Sequence, residues 1–182
     1  MGFYGYASNL ESVTINARSL QALTGIVDIG AQIQAGLGIP ADQVKTSEVL
    51  LVGFEPDDSG SIRFAGNAQA VREGHNLLID EMSATKQKDS ILFHTRYLNG
   101  HVLNPFLPIA QATRMDAKNY DPALSTPLYD QTFVFLGTML AKYQECEDNG
   151  ISARTISLII SDGADTSGKS PKKVRGLITD LL

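Results

Sequence analysis

Much of what this sequence can be is bounded by what it has little of. One cysteine, Cys146, stands in 182 residues, so no disulfide can form within the chain. That usage fits a reducing compartment. Three histidines are present, His75, His94 and His101, and none falls in a G-x-S-x-G or H-E-x-x-H context. Neither a nucleophile elbow nor a zinc-protease helix is therefore written here. Basic residues are too few for a general nucleic-acid binder, since the formal net charge is -5. The one basic cluster, Lys169, Lys172, Lys173 and Arg175, reads as a solvated helix start, with a phosphate or acidic-partner contact as the minority reading. Long apolar runs are missing as well. The most apolar early segment, Leu20 to Ile39, is interrupted by Asp28, Gln32 and Gln34 and is too polar to span a bilayer. Met1-Gly2-Phe3-Tyr4 opens no basic, then apolar, leader, so no secretory signal is expected and the expected location is cytoplasmic.

What is present is a normal globular composition, 43% hydrophobic, enough for a sizeable core. Residues 1–45 read as an extension. Leu20, Leu23, Val27 and Ala31 recur at three- and four-residue steps, predicting a helix from about Asn9 to Gly36. Gly25 and Gly30 weaken it by roughly 1 kcal/mol each. Gly36-Leu37-Gly38-Ile39-Pro40 ends it. Such a helix packs on a sheet or serves as a docking or assembly element, and the pattern does not choose. Residues 46–182 read as an α/β domain. Val49 to Phe54 is a buried strand. Ala65 to Met82 is an amphipathic helix that carries His75 on the same face as Val71 and Leu78. Ser90 to Tyr97 is a second strand, and Asn99-Gly100 is a hairpin signal with a return strand near His101-Val102-Leu103. Pro105 to Tyr120 is loop-like with a short helical turn. Leu128 to Tyr143 is a strong helix, started by Thr126-Pro127 and stopped by Asn149-Gly150. Ile156 to Ile160 is a further buried strand.

The stretch that carries chemistry is Asp57-Asp58-Ser59-Gly60-Ser61, just past the first strand. A carboxylate and two hydroxyls at alternate positions can face one point, and Gly60 permits a tight turn between them. Hard divalent cations take such oxygen ligands and keep part of their shell for water or a partner's oxygen. Alone, the pentapeptide is also what an ordinary turn uses. Two later stretches add to it: Ser125-Thr126-Pro127 at the start of a helix, and Ser161-Asp162-Gly163 at the end of a strand.

Together these stretches resemble the von Willebrand factor A domain and its metal-ion-dependent adhesion site. That family's pattern is Asp-x-Ser-x-Ser, a lone Thr on a later loop, and an Asp after the fourth strand. Asp57, Ser59, Ser61, Thr126 and Asp162 fill those places in order. The resemblance implies an open, mostly parallel sheet with one antiparallel edge strand and helices on both faces. It also implies Mg2+ or Mn2+, ahead of Ca2+, in a site without catalysis of its own. Ser59 and Ser61 would coordinate directly, Thr126 directly or through water, and Asp57 and Asp162 chiefly through waters. The vacant position would accept an Asp or Glu from a partner protein. Intracellular domains of this look often work with AAA+ ATPases of the MoxR kind. Asp58 and Asp165 lie beside the matched positions and outside the expected ligand set.

The chain departs from that family after Asp162. Val174 to Leu182 reads as the next helix, and the family's two further strands and closing helix do not follow. The strand ending at Asp162 is then expected to be an open sheet edge, a pairing hazard. A truncation, a shortened natural domain, or an edge completed by a partner or a second copy would each account for it. A structural subunit of a larger assembly, its metal site vestigial or stabilising, is the second reading. A third comes from Gly163 to Ser170, which satisfies the P-loop pattern G-x-x-x-x-G-K-[ST]. Against it, Asp165 would put a carboxylate into a phosphate cradle. Only twelve residues follow Ser170, too few for the further strands of a nucleotide fold.

Overall fold

The computed structural model describes residues 26–166, together with Gly168, Lys172 and Arg175. Its centre is a four-stranded mixed sheet in the order β3-β2-β1-β4. Strand β1 (Glu48–Pro56) pairs in parallel with β2 (Ile91–Arg96) on one side and with β4 (Ser152–Ile160) on the other. Strand β3 (Val102–Pro108) lies antiparallel to β2 at the far edge. Parallel neighbours need helical crossovers, and these cover both faces of the sheet. Helix α3 (Ala68–Ser83) packs Val71 and Ile79 against Val52, Phe54 and Phe93 on one face. Helix α4 (Leu128–Asp148) packs Phe135 and Met139 against Val49, Leu51 and Leu92 on the other. The α/β open sheet expected from the sequence is therefore the observed fold.

Helix α4 approaches β1 closely. A Cβ at Gly53 would stand 2.5 Å from Met139 Sδ and 2.6 Å from Phe135 Cζ, so only glycine fits between strand and helix here. Beyond its last residue, Gly150 turns the chain at φ 74° into β4. The turn is left-handed, which glycine adopts without steric cost.

Three local expectations are corrected. The N-terminal helix is short where it is described: α1 spans Ile29–Gln34, and Asp28 before it is left-handed at φ 48°, so no helix runs through that point. Its buried face is Ile26, Ile29, Ile33 and Leu37, whereas Val27 and Ala31 face solvent. The apolar period was thus read two residues out of phase. Leu20 and Leu23 lie outside the described residues. Residues 26–41 share one hydrophobic cluster with α4 and the sheet. Second, β3 runs on through Pro105 to Pro108, where a loop was expected. Proline is tolerated because β3 is an edge strand, and register shifts around Thr95 break the ladder there. Third, the helix expected over Ala65 to Met82 begins at Ala68, and a separate short helix, α2 (Gly60–Phe64), precedes it directly after the Asp57 loop.

Strand β4 is the opposite edge. Ile156, Leu158, Ile159 and Ile160 remain 37–44% exposed, and among the described residues no strand pairs with its outer side. The helix expected over Val174 to Leu182 lies outside the described residues apart from Arg175. No helix among the described residues is long and apolar enough to cross a membrane.

Candidate functional site

Parallel pairing brings the carboxyl ends of β1 and β4 side by side: Pro56 is in register with Ile160, and the Asp57 amide donates to the Ile160 carbonyl at 2.8 Å. The residues that leave those two ends are Asp57 to Ser61 and Ser161 to Gly163. Carboxyl ends of strands are where open α/β sheets present ligand-binding loops.

The loop after β1 is fixed by its own first residue. Asp57 is fully buried; Oδ1 accepts the Ser59 amide at 2.8 Å and Oδ2 accepts the Ser161 hydroxyl at 2.6 Å. Its carbonyl accepts the Tyr120 hydroxyl. With both oxygens engaged, Asp57 offers negative charge more readily than a vacant lone pair. Ser59 Oγ lies 2.9 Å from Ser61 Oγ, and Ser61 Oγ donates to Asp162 Oδ1 at 2.7 Å. These contacts join two loops about one hundred residues apart in sequence. Ser59 and Thr126 are buried, while Ser61 and Asp162 are exposed, giving a closed floor and an open rim.

Thr126 arrives on a separate loop. A Cβ at Gly163 would stand 3.5 Å from Thr126 Oγ1 and 3.7 Å from Ser61 Oγ, so both hydroxyls face the same glycine. Backbone contacts hold that loop against the first. Leu124 bridges Ser59, and its carbonyl accepts the Gly60 amide at 3.0 Å. Thr166 clamps Thr126 from the other side, its amide donating to Thr126 O at 2.8 Å and its hydroxyl accepting Thr126 N–H at 3.1 Å. Of the five residues expected from the sequence, Ser59, Ser61 and Asp162 are joined side chain to side chain, Asp57 is tied to them through the Ser59 amide, and Thr126 lies across Gly163 from Ser61.

The neighbours left out of the ligand set have other partners. Asp58 Oδ1 accepts both the backbone and side-chain N–H groups of Asn99, at 3.1 and 2.7 Å. Burial pushes its carboxyl up, while the Asn99 bonds pull it down. Asp165 accepts the Tyr129 amide through Oδ1 and the Gly168 amide through Oδ2, each at 3.1 Å. A carboxylate therefore occupies part of the backbone cradle that the P-loop reading reserves for phosphate. Lys169 and Ser170 lie outside the described residues.

Sequence reasoning missed the support beneath the site. Glu55 is fully buried two residues before Asp57, and burial pushes its carboxyl up to about 8. Thr132 Oγ1 donates to its Oε2 at 2.9 Å, while Oε1 has no partner among the described residues. Beside it, the buried Arg96 is lowered to about 10 by burial and donates to Gln32 and Gln131 at 2.8 to 3.3 Å. A glutamate inside an apolar strand, directly ahead of Pro56-Asp57, was the available signal. The other titratable groups are structural in their surroundings. His75 Nε2 lies 3.0 Å from Thr95 Oγ1, and burial lowers its ring to about 4. His94, lowered by burial to about 3, lies 2.7 Å from the Asn104 carbonyl through Nδ1 and stacks on Phe106. Cys146 is buried, and burial raises its thiol above the ordinary range, the reverse of activation.

Among the described residues no three His, Cys, Asp or Glu side chains converge on one point. The donor set is instead two carboxylates and three hydroxyls. It is all oxygen, with two carboxylates among three neutral hydroxyls, the chemistry of a hard divalent cation that keeps part of its shell for another ligand. The residues present fit such an ion. Compared with protein-family models and with curated proteins, the chain matches none.

Proposed function

We propose that this is a divalent-metal-dependent protein-binding module of the von Willebrand factor A type, without catalysis of its own. Asp57, Ser59, Ser61, Thr126 and Asp162 would hold Mg2+ or Mn2+. A bound ion would supply an incompletely neutralised positive centre that attracts an acidic side chain. The observation that carries this reading is the chain Ser59 Oγ–Ser61 Oγ–Asp162 Oδ1, at 2.9 and 2.7 Å, which gathers oxygen donors from both loops. Within it Ser59 and Ser61 present hydroxyls, Asp57 braces the turn through the Ser59 amide, and Asp162 adds charge at the open rim. The engagement of Asp165 by two backbone amides weighs against nucleotide binding.

A second reading, a structural subunit of a larger assembly, is favoured by one observation, the exposed apolar outer edge of β4. A binding module loses its partner on chelation; an assembly subunit keeps it.

The deciding experiment is a thermal melt in EDTA, then in Mg2+ or Mn2+, on the wild type, on Asp57→Ala with Ser59→Ala, and on the rim variant Ser61→Ala. A ligand that binds only the folded state stabilises by RT ln(1 + [L]/Kd), about 2.7 kcal/mol at a hundredfold excess over Kd. A dose-dependent rise in the wild type that both variants lack is the expected result. No response in any of the three proteins would sink the metal reading and leave the structural role.

A further inference from the structure

The two edges of the sheet are finished differently. On the β3 edge the chain covers its own main-chain groups: the Phe106 amide donates to the Gly36 carbonyl and the Ile39 amide to the Phe106 carbonyl, each at 2.9 Å. Pro105 and Pro108 leave two positions of β3 with no N–H to offer. Covering segments and prolines keep a sheet edge from pairing with other chains. Strand β4 carries neither. Between Ser152 and Ile160 there is no proline, glycine or lysine, and Arg154 is the one charge. Which of its groups face outward follows from the pairing. The Ser152 amide donates to the Ser47 carbonyl at 3.0 Å, and the Ile160 carbonyl accepts the Asp57 amide, so the even-numbered residues turn their main chain toward β1. Alternation turns the main chain of Ala153, Thr155, Ser157 and Ile159 outward. Glu147 Oε1 accepts the Ala153 amide at 2.9 Å. Thr155, Ser157 and Ile159 keep amides and carbonyls that no strand pairs among the described residues. Beside them Ile156, Leu158 and Ile160 share the α3 side of the sheet with Val52 and Phe54 and are exposed.

We propose that a second copy of this chain occupies the β4 edge, the two β4 strands pairing antiparallel about a two-fold axis through Ser157. With the β3 edge covered, β4 of one copy finds no strand edge at β3 of another. An isologous β4–β4 contact is the strand pairing left to two copies, and it closes without creating a new edge. The register follows from the main chain, since outward-facing residues must meet outward-facing residues. The axis through Ser157 engages all three free positions of both copies: Thr155 faces Ile159, and Ser157 faces its own counterpart. On the α3 side Ile156 then faces Leu158 of the second copy, an apolar cross-strand pair. Charge is complementary in the same register. Each Arg154 falls opposite Ile160 of the second copy, at the strand end that leads to the exposed Asp162. The two Arg154 side chains stand about 20 Å apart, six residues at about 3.3 Å each. This commits the exposed edge to one occupant and holds whether or not a cation binds, because β4 contains none of the five candidate ligands.

The test is light scattering on the full chain over a dilution series in EDTA, which keeps the result independent of metal, together with oxidative cross-linking by copper phenanthroline. The wild type should have twice the chain mass at high concentration and fall to one chain on dilution. Ser157→Lys puts two ammonium groups face to face at the axis and should be a monomer throughout; circular dichroism checks that it folds. Ser157→Cys tests the register without relying on that variant. Its Cα would lie about 5.5 Å from its counterpart, within disulfide reach, so it should give a covalent dimer. Ile159→Cys should give none, because its counterpart is displaced four residues along the strand, about 13 Å. Cys146 is buried and does not compete. A wild type that is monomeric at every concentration overturns the proposal and leaves the edge to another segment of the chain or to a different protein. A dimer that survives Ser157→Lys, or that links through Ile159→Cys and not Ser157→Cys, overturns it too, by placing the contact on another surface or in another register.

Discussion

Glu55→Gln is the perturbation with the most to say about how the site is supported. The native carboxyl titrates at about 8 because burial disfavours its charged form, against 4.5 for an ordinary glutamate. The folded state therefore holds its proton more tightly than the unfolded state, and stability from this group is complete below pH 4.5. It is lost progressively as pH rises from there through about 8. At 1.36 kcal/mol per pH unit the full loss has a ceiling of about 5 kcal/mol; relaxation and water entry at a real buried site bring the expected value to about 2–3 kcal/mol. Glutamine keeps the shape, never ionises, and can donate to or accept from Thr132. Urea unfolding between pH 5 and pH 9, in EDTA so that no cation contributes, should show the wild type losing about 2–3 kcal/mol relative to Glu55→Gln across that range, because the two buried histidines contribute equally to both proteins and cancel in the difference. The variant should be the more stable protein at pH 9. A wild-type-minus-variant difference that stays constant over this interval would refute the account of Glu55 as a buried neutral acid.

Other outcomes are open to the same kind of measurement. On the acid side, His75 and His94 are held at about 4 and 3, below the ordinary 6.5, so their contribution is present above pH 6.5 and lost as pH falls toward 4; two histidines outweigh the single Glu55 acting in the opposite sense until they are neutral, so urea midpoints should peak near pH 6.5. Gly53→Ala should cost about 1–3 kcal/mol through overpacking against Met139 and Phe135. Gly38→Ala should cost more in the same assay, because φ is +62° and the new Cβ would meet the rigid Phe106 carbonyl at 1.9 Å. Tyr120→Phe removes the hydroxyl that bonds the Asp57 carbonyl, and should lower stability by about 1 kcal/mol and weaken metal binding without abolishing it.

The parts of the fold legible in the sequence were those whose signal is local and repeated. The apolar run at Val49–Phe54 and the long period of Leu128–Tyr143 both became elements with nearly the expected ends. Where one residue could change the outcome, the reading slipped. Asp28 adopts a left-handed conformation that a smooth apolar period does not announce, and it moved the buried face of the N-terminal segment to Ile29 and Ile33. Pro105 and Pro108 looked like loop formers because a proline's tolerance in a strand depends on whether that strand is an edge, which is a property of the sheet. The five candidate residues stood out in the sequence because their spacing is a chemical pattern. Glu55, Ser161 and Tyr120 were missed because they act through contacts across 63 to 104 residues, such as Ser161 Oγ to Asp57 Oδ2.

The hydrogen bond from Ser61 to Asp162 joins positions 101 apart, and this has a consequence for the order in which the protein becomes functional. During synthesis the first loop is made early, yet its acidic counterpart leaves the ribosome only after β4. Parallel pairing of that kind closes a large loop and is intrinsically slow. Under the proposed metal-binding role, cation affinity should therefore be absent from nascent chains that end before β4 and arrive in one step when β4 docks beside β1. A metal-sensitive signal would then serve as a clock for the docking of β4 beside β1, and any partner that requires the ion would be kept away from half-made chains.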